Sequence, residues 1–272
     1  MKKRVKRWLE EGTVDLFLGY RQVMGHPLPY CFDKADLDAL DDLVDGPARY
    51  SLEKMATHIA AADPEVRIGM LARDCNQRAL NVLQIWNQLD AEKIETLNVN
   101  CCPSNLKSHG DCSYLAPEVP AVVKRELGVE KHQSLEDLEG MAPSERLSRW
   151  MYEFQKCIKC YGCRNICPVC FCKECSLEHG DLIGKGSLPP EAPIFHLVRA
   201  VHMAGRCIDC GLCEDACPAD IPLRLLYGKV NAIVKEVFDY DTGSPGEQSP
   251  FSILGDSVTL TPKPMAPVDL AN

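Results

Sequence analysis

The second half of the chain contains two stretches with the same cysteine spacing, CIKCYGCRNICP at residues 157–168 and CIDCGLCEDACP at residues 207–218. A 4Fe-4S cubane presents four irons at the corners of a small cube. Three thiolates from one short loop therefore bind three corners, and a fourth thiolate arrives from elsewhere. The doubled C-x-x-C-x-x-C-x-x-x-C-P pattern predicts a pair of 4Fe-4S clusters.

The cysteine before each proline supplies the fourth ligand. In two-cluster ferredoxins this cysteine crosses to the cluster of the other motif. We therefore predict two ligand sets, which are Cys157, Cys160, Cys163 and Cys217 for one cluster, and Cys207, Cys210, Cys213 and Cys167 for the other.

Other uses of these eight cysteines fit the sequence less well. A structural zinc site has two C-x-x-C pairs set apart by a spacer, which differs from three thiols at successive two-residue gaps. Disulfides form in oxidising compartments. The chain opens MKKRVKRWLEEG, which lacks the apolar region and the small-residue cleavage site of a secretory signal. We therefore expect reduced thiols and a cytoplasmic protein.

Composition sets broad limits on partners. The 272 residues are 46% hydrophobic, which is enough for two compact domains. The net charge of -9 argues against a nucleic-acid partner. No apolar run approaches the roughly 18 residues of a membrane helix. Sixteen cysteines are present, so eight remain outside the two motifs.

The first half is predicted to be a small α/β domain. An apolar strand at 66–72, a helix at 76–89 and a second strand at 94–99 form a βαβ unit, and we expect a parallel sheet. Ser144 is predicted to cap a helix that leads into the first motif. The predicted organisation is an α/β domain at 1–115, a linker and helix at 116–155, an α+β two-cluster ferredoxin-like domain with an inserted loop and helices at 156–238, and an extended tail at 239–272.

A further group of cysteines follows the two predicted strands. Cys75 comes just after the first strand, Cys101 and Cys102 come just after the second, and Cys112 follows after a short loop containing His109. Parallel strands end at the same edge of a sheet, where such sheets place their ligands. These cysteines are therefore candidates for a third iron-sulfur site. The alternative is that they are free thiols that pack as small apolar residues.

The remaining candidates allow several interpretations. Three cysteines directly behind the first motif could cap a further cluster, take part in redox chemistry or pack beside the first cubane; they are Cys170, Cys172 and Cys175. His196 and His202 are interpreted as packing residues or as hydrogen-bond donors near a cluster. Arg73, next to a helix N-terminus, could approach the phosphate of a flavin or nucleotide, and the alternative is that it is solvated or ion-paired, as a single arginine at a strand end more often is. No residue is predicted to be a catalytic acid, base or nucleophile.

Four segments carry a family resemblance: GMLARDCNQRALNVLQIWNQL at 69–89, NVNCCPSN at 98–105, CIKCYGCRNICPVCFCKEC at 157–175 and FHLVRAVHMAGRCIDCGLCEDACPADIPL at 195–223. They resemble the iron-sulfur beta-subunit family of deazaflavin-reducing hydrogenases and formate dehydrogenases. That family includes electron-transfer subunits of heterodisulfide-reductase-type complexes. The likeness spans about residues 18–240.

The resemblance implies an electron-transfer subunit of a cytoplasmic anaerobic redox complex. Such a subunit passes electrons between a catalytic partner and a flavin-containing partner. In many relatives a cysteine stands at the position of His109, so a third cluster here would use His109, Cys101 or fewer protein ligands. Some members bind flavin themselves. The alternative hypotheses are therefore a flavin-binding subunit that reduces a nicotinamide or deazaflavin, and an N-terminal domain that serves only as a docking scaffold.

Overall fold

The computed structural model describes residues 1–45, 50–99, 135–181, 183–184 and 193–251. Three cysteines of the predicted third site and its neighbouring histidine lie outside the described residues; they are Cys101, Cys102, Cys112 and His109.

The first half contains a five-stranded sheet. Its strands are β1 (Leu16–Val23), β2 (His26–Asp33), β3 (Leu43–Val44), β4 (Ile68–Ala72) and β5 (Ile94–Asn98). The order is β2-β1-β4-β5, and β3 also pairs with β1. Strand β4 is parallel to both β1 and β5, whereas β1 is antiparallel to β2 and β3.

The prediction of a parallel sheet is therefore confirmed only in part, because the sheet is mixed. Strands β1 and β2 form a hairpin that the sequence interpretation missed. Its two turn residues, Met24 and Gly25, have φ angles of 49° and 83°. Two positive φ values in a two-residue loop suit the twist of paired antiparallel strands.

The predicted βαβ unit is present. Strand β4 is buried along its whole length, and α3 (Asp74–Ile85) connects it to β5. The parallel register runs from Ile68 opposite Ile94 to Ala72 opposite Asn98. The carboxyl ends of the two strands therefore lie side by side, as the sequence predicted.

Two more helices cover the sheet half. Helix α1 (Lys2–Glu11) buries three apolar side chains of the basic opening stretch, namely Val5, Trp8 and Leu9. Helix α2 (Leu52–Ala62) begins at Ser51, whose side chain accepts a hydrogen bond from the backbone N–H of Lys54.

The cysteine-rich half is helical where it is described. Its helices are α4 (Leu135–Glu139), α5 (Pro143–Gln155), α6 (Gly162–Asn165), α7 (Ile194–His202), α8 (Leu212–Asp215) and α9 (Leu223–Phe238). No strand follows β5 within the described residues, so the α+β label was not matched there. The N-cap position of helix α5 is Ala142, without a side-chain cap hydrogen bond, and Pro143 follows in the first turn, so the prediction that Ser144 caps this helix was wrong. Proline fits this position because it has no N–H to leave unpaired.

Helix α3 packs against both halves. Leu80 and Leu83 join the core beneath the sheet, whereas Ala79 and Val82 join the core that contains the motif cysteines. The predicted tail also contacts this helix, since Arg78 donates to the carbonyl of Thr242 at 2.7 Å. The domain limits given above stay predictions.

Within the described ranges, no helix has both the length and the apolar character that a bilayer crossing needs.

Candidate metal centres

The two cysteine motifs fold into loops with the same backbone conformation. Lys159 and Asp209, at equivalent positions, have φ angles of 52° and 55°. Tyr161 and Gly211, also equivalent, have φ angles of 58° and 79°, and each begins a short helix. A left-handed tyrosine is unusual. Here the Tyr161 hydroxyl donates to the carbonyl oxygen of Leu177 at 2.8 Å, which helps to hold the turn.

The two loops approach each other closely. A Cβ atom at Gly162 would lie 2.9 Å from the carbonyl oxygen of Ala216, so a larger residue would force the loops apart. Ala216 directly precedes Cys217. The glycine of the first motif therefore lets the last cysteine of the second motif reach the first loop.

The first of two cavities lies at this junction. Its lining includes four cysteines, three from the first motif and one from the second: Cys157, Cys160, Cys163 and Cys217. The other lining side chains are mostly apolar and include Ile158, Phe195 and Leu223, together with His196. Cys160 is exposed to solvent, whereas Cys163 is buried.

The second cavity repeats this arrangement with the motifs exchanged. Its cysteines are Cys207, Cys210 and Cys213 from the second motif and Cys167 from the first. Its remaining lining includes three charged side chains, Arg199, Arg224 and Asp209, and Tyr227, beside apolar residues such as Met203 and Ile208. Cys167 and Cys207 are buried.

These are the two groups of cysteines that the sequence predicted, although iron binding by them stays a prediction. Among the residues that the structure describes, no three His, Cys, Asp or Glu side chains converge closely enough to hold one metal ion. A cubane does not require such convergence, because each thiolate binds a different iron of the cube.

The cysteine side chains are strongly affected by burial. Burial raises the pKa of Cys157 to about 11 and that of Cys207 to about 12. Burial also raises the pKa of Cys210 and Cys213 well above the ordinary value, and the neighbouring thiolates raise it further. Without metal these thiols hold their protons at neutral pH, so iron binding releases protons.

Several buried polar atoms of residues that line the cavities have no hydrogen-bond partner among the described residues. In the second cavity these are Nε of Arg199 and the hydroxyl of Tyr227, and in the first they are both ring nitrogens of His196. Burial lowers the pKa of His196 to about 4, so its ring is neutral and carries one N–H. Sulfurs of an iron-sulfur cluster are natural acceptors for such donors. The cysteines and these polar atoms together fit a cluster in each cavity.

Cys75 lies close to the second cavity. It stands in the first turn of α3, packs against the core that contains the motif cysteines, and lies within electrostatic reach of Cys210. A third site at this sheet edge would therefore adjoin the second cavity.

Arg73 does not face solvent at this edge. It is buried, and one of its nitrogens donates to the carbonyl of Asp45 at 3.3 Å. Nearby, Glu53 accepts a hydrogen bond from Asn76 at 2.6 Å, and burial raises its pKa to about 7. The polar groups around Arg73 are thus part of the interior.

The three cysteines behind the first motif line a separate cleft of about 560 Å³. Each of these cysteines lies beside the guanidinium group of a different arginine, and the three pairs are Cys170 with Arg199, Cys172 with Arg206, and Cys175 with Arg164. Cys175 and Cys157, which lines the first cavity, both pack against the small apolar cluster of Leu177, Ile183 and Phe195. His202 faces the same cleft.

The sequence interpretation missed Arg199 and Tyr227. A signal was present for Arg199, because it follows Phe195 by four residues on α7 and so lies on the apolar face of that helix. A charged residue on such a face is uncommon and often has a specific partner. Tyr227 gave no such signal, since a tyrosine in a helix usually packs in a core.

The sequence is similar to that of known iron-sulfur and formate dehydrogenase proteins. The 4Fe-4S binding domain family matches residues 200–222. The chain is 45% identical over 97 residues to the F420-dependent formate dehydrogenase subunit beta of Methanocaldococcus jannaschii, a match covering 36% of this chain and 26% of that protein. It is 43% identical over 104 residues to the F420-dependent formate dehydrogenase 1 subunit beta of Methanococcus maripaludis, covering 38% and 27%.

The chain thus spans about a quarter of the length of both curated relatives. The resemblance predicted from the quoted segments is confirmed for formate dehydrogenase beta subunits. Over about 100 residues, the chain is homologous to the beta subunits of F420-dependent formate dehydrogenases, and it contains a 4Fe-4S binding domain.

Proposed function

We propose that the chain is an iron-sulfur electron-transfer subunit of a cytoplasmic anaerobic oxidoreductase complex. It relays single electrons through two 4Fe-4S clusters between a catalytic partner and a flavin-containing partner. The observation that carries this proposal is the lining of the two cavities. Each combines three cysteines of one motif with the last cysteine of the other.

The roles of the protein groups follow from their positions. A bound 4Fe-4S cluster supplies one-electron chemistry. The eight cysteines hold the clusters, and backbone N–H groups of Lys159, Asp209 and Leu212 stabilise the thiolates of Cys157, Cys207 and Cys210, respectively. The apolar walls of the first cavity and the buried thiols of the second limit the access of water. This environment tunes the reduction potential.

The partners are proposed from the names of the relatives. Both relatives are called subunits of a formate dehydrogenase, which names them as parts of an assembly. We infer that this chain also joins other subunits, in a complex of the formate dehydrogenase, hydrogenase or heterodisulfide-reductase type. Anoxic purification with a tag should recover a second subunit that carries a flavin or a catalytic metal.

Metal content and electron uptake test the proposal directly. Anoxically purified full-length protein should contain about eight irons and eight acid-labile sulfides for the two cavities, since each cubane contains four of each. Reductive titration should then add about two electrons per chain, one per cluster. Stoichiometric zinc in place of iron would contradict the proposal. A yellow flavin released on denaturation of the chain purified free of its partner subunits would favour the alternative of a flavin-binding subunit.

A third iron-sulfur site is a separate part of the proposal. It would use Cys75 with cysteines from the group Cys101, Cys102 and Cys112. With this site the chain would hold about twelve irons, and Cys75→Ala combined with Cys112→Ala would remove the excess while sparing the other two clusters. Equal iron content in wild type and the folded double variant would leave these cysteines a structural role only.

A further inference from the structure

Arg199 is a buried cation that contacts both cysteine motifs. Its side chain is 3% exposed. One guanidinium nitrogen donates to the carbonyl oxygen of Cys163 in the first motif at 2.8 Å. The other lies 3.9 Å from the sulfur of Cys170.

The same guanidinium also lines the second cavity. It lies 5.7 Å from the centre of the Tyr227 ring, and its Nε has no hydrogen-bond partner among the described residues. The thiols within its electrostatic reach belong to both ligand sets, and they are Cys163, Cys167, Cys207 and Cys213. One positive charge is therefore shared between the two cavities.

The charge of Arg199 is not balanced by an acid. Within the described part of the chain, no carboxylate forms an ion pair with it. Arg224, which faces the same cavity, differs in this respect. It bonds Asp209 through two nitrogens at 2.6 Å and 3.0 Å, so that pair carries little net charge. A buried cation without a counter-ion is costly unless an anionic group lies beside it.

We propose that the positive charge of Arg199 raises the reduction potential of both clusters, and that it raises the potential of the second cluster more. The proposal rests on the proposed function, because it requires a cluster in each cavity. Reduction adds one negative charge to a cluster. A fixed cation nearby stabilises that added charge, and the interaction is strong where water is excluded. Arg199 lines the second cavity itself, whereas its hydrogen bond to the first motif is to the backbone carbonyl of Cys163. The effect on the second cluster should therefore be the larger one.

The test is a redox titration followed by electron paramagnetic resonance on full-length anoxic protein, with iron and sulfide measured for every sample. At a fixed solution potential, Arg199→Met should lower the reduced-to-oxidised ratio of the second cluster about tenfold, which corresponds to about 59 mV for one electron. The first cluster should shift in the same direction by less. Arg199→Lys, which keeps the charge, should lie closer to wild type than Arg199→Met.

A remote variant controls for net charge. Arg67 lies in an exposed ion pair with Asp15 in the sheet half, so Arg67→Met makes the same change in total charge. Solvent screens that site, and neither cluster should shift. If Arg199→Met binds less iron than wild type, the cluster potentials of Arg199→Lys and Arg199→Gln are compared instead. Both variants keep a hydrogen-bond donor, and only the lysine keeps the positive charge.

The outcomes separate this proposal from the function on which it rests. Unchanged potentials in iron-loaded Arg199→Met, or equal potentials in the Lys and Gln variants, would overturn the role of Arg199 and leave electron transfer intact. Wild-type protein without iron-sulfur clusters would overturn the proposed function itself.

Discussion

The two cavities have the same ligand spacing but different surroundings. The first has an exposed cysteine, Cys160, and a mostly apolar lining that also includes Tyr161 and the neutral ring of His196, but no charged side chain. The second has buried Cys207 and is lined by two arginines and a tyrosine. On the proposed function, the cysteine spacing selects the cofactor, whereas side chains from helices outside the motifs would set how readily each cluster is reduced. We expect the second cluster to have the higher potential.

The largest expected effect tests the exchange of ligands between motifs. Cys217→Ser should disrupt the cluster of the first cavity, and Cys167→Ser should disrupt that of the second, each with a loss of up to about four irons per chain. Resonance spectra of the two variants, with iron content, measure the effect. They also assign each signal to a cavity.

Serine substitution at Cys172 is the matched control, since this cysteine lies in the cleft and lines neither cavity. Its spectra should equal those of wild type. If Cys217→Ser instead altered only the cluster bound by Cys207, Cys210 and Cys213, each motif would keep its own fourth cysteine and the comparison would fail.

A smaller effect is expected in the rate of metal loss. Cys160 of the first cavity is exposed, whereas none of the four cysteines that line the second cavity is. A chelator or mild oxidant should therefore remove the first cluster several-fold faster than the second. The two resonance signals, followed over time in one sample, report the two rates. Simultaneous loss of both signals would mean that the difference in burial does not control access.

The smallest effects concern single hydrogen-bond donors. Tyr227→Phe removes one unpaired hydroxyl from the second cavity, and His196→Phe removes the ring nitrogens from the first. Each variant should lower the reduced-to-oxidised ratio of its own cluster about threefold, since one hydrogen bond contributes about 0.5–1.5 kcal/mol. Redox titration of both clusters in both variants measures this. A shift in the opposite cluster would show that the donors were assigned to the wrong cavity.

The two ligand sets were predicted from the cysteine spacing, and iron binding by them stays a prediction. Three thiols on one loop are fixed by two-residue gaps, and the crossing of the fourth follows from the known behaviour of doubled motifs. The βαβ unit was also predictable, since β4 is a short apolar run and α3 has helical spacing.

Other features depend on contacts that have no local pattern. The hairpin of β1 and β2 turns at Met24 and Gly25, and methionine is not a usual turn residue at positive φ. Arg199 gains its position from the packing of α7 against both motif loops, more than thirty residues from Cys163 in sequence. Pairings at such separations are set by the tertiary fold, so propensity and periodicity do not reveal them.

The most direct test of the account is the location of iron in the full-length protein. Crystals grown without oxygen and measured at the iron absorption edge should show a four-iron group in each cavity. One group should be bound by Cys157, Cys160, Cys163 and Cys217, and the other by Cys207, Cys210, Cys213 and Cys167. An anomalous signal from zinc, or clusters bound by all four cysteines of a single motif, would contradict the account.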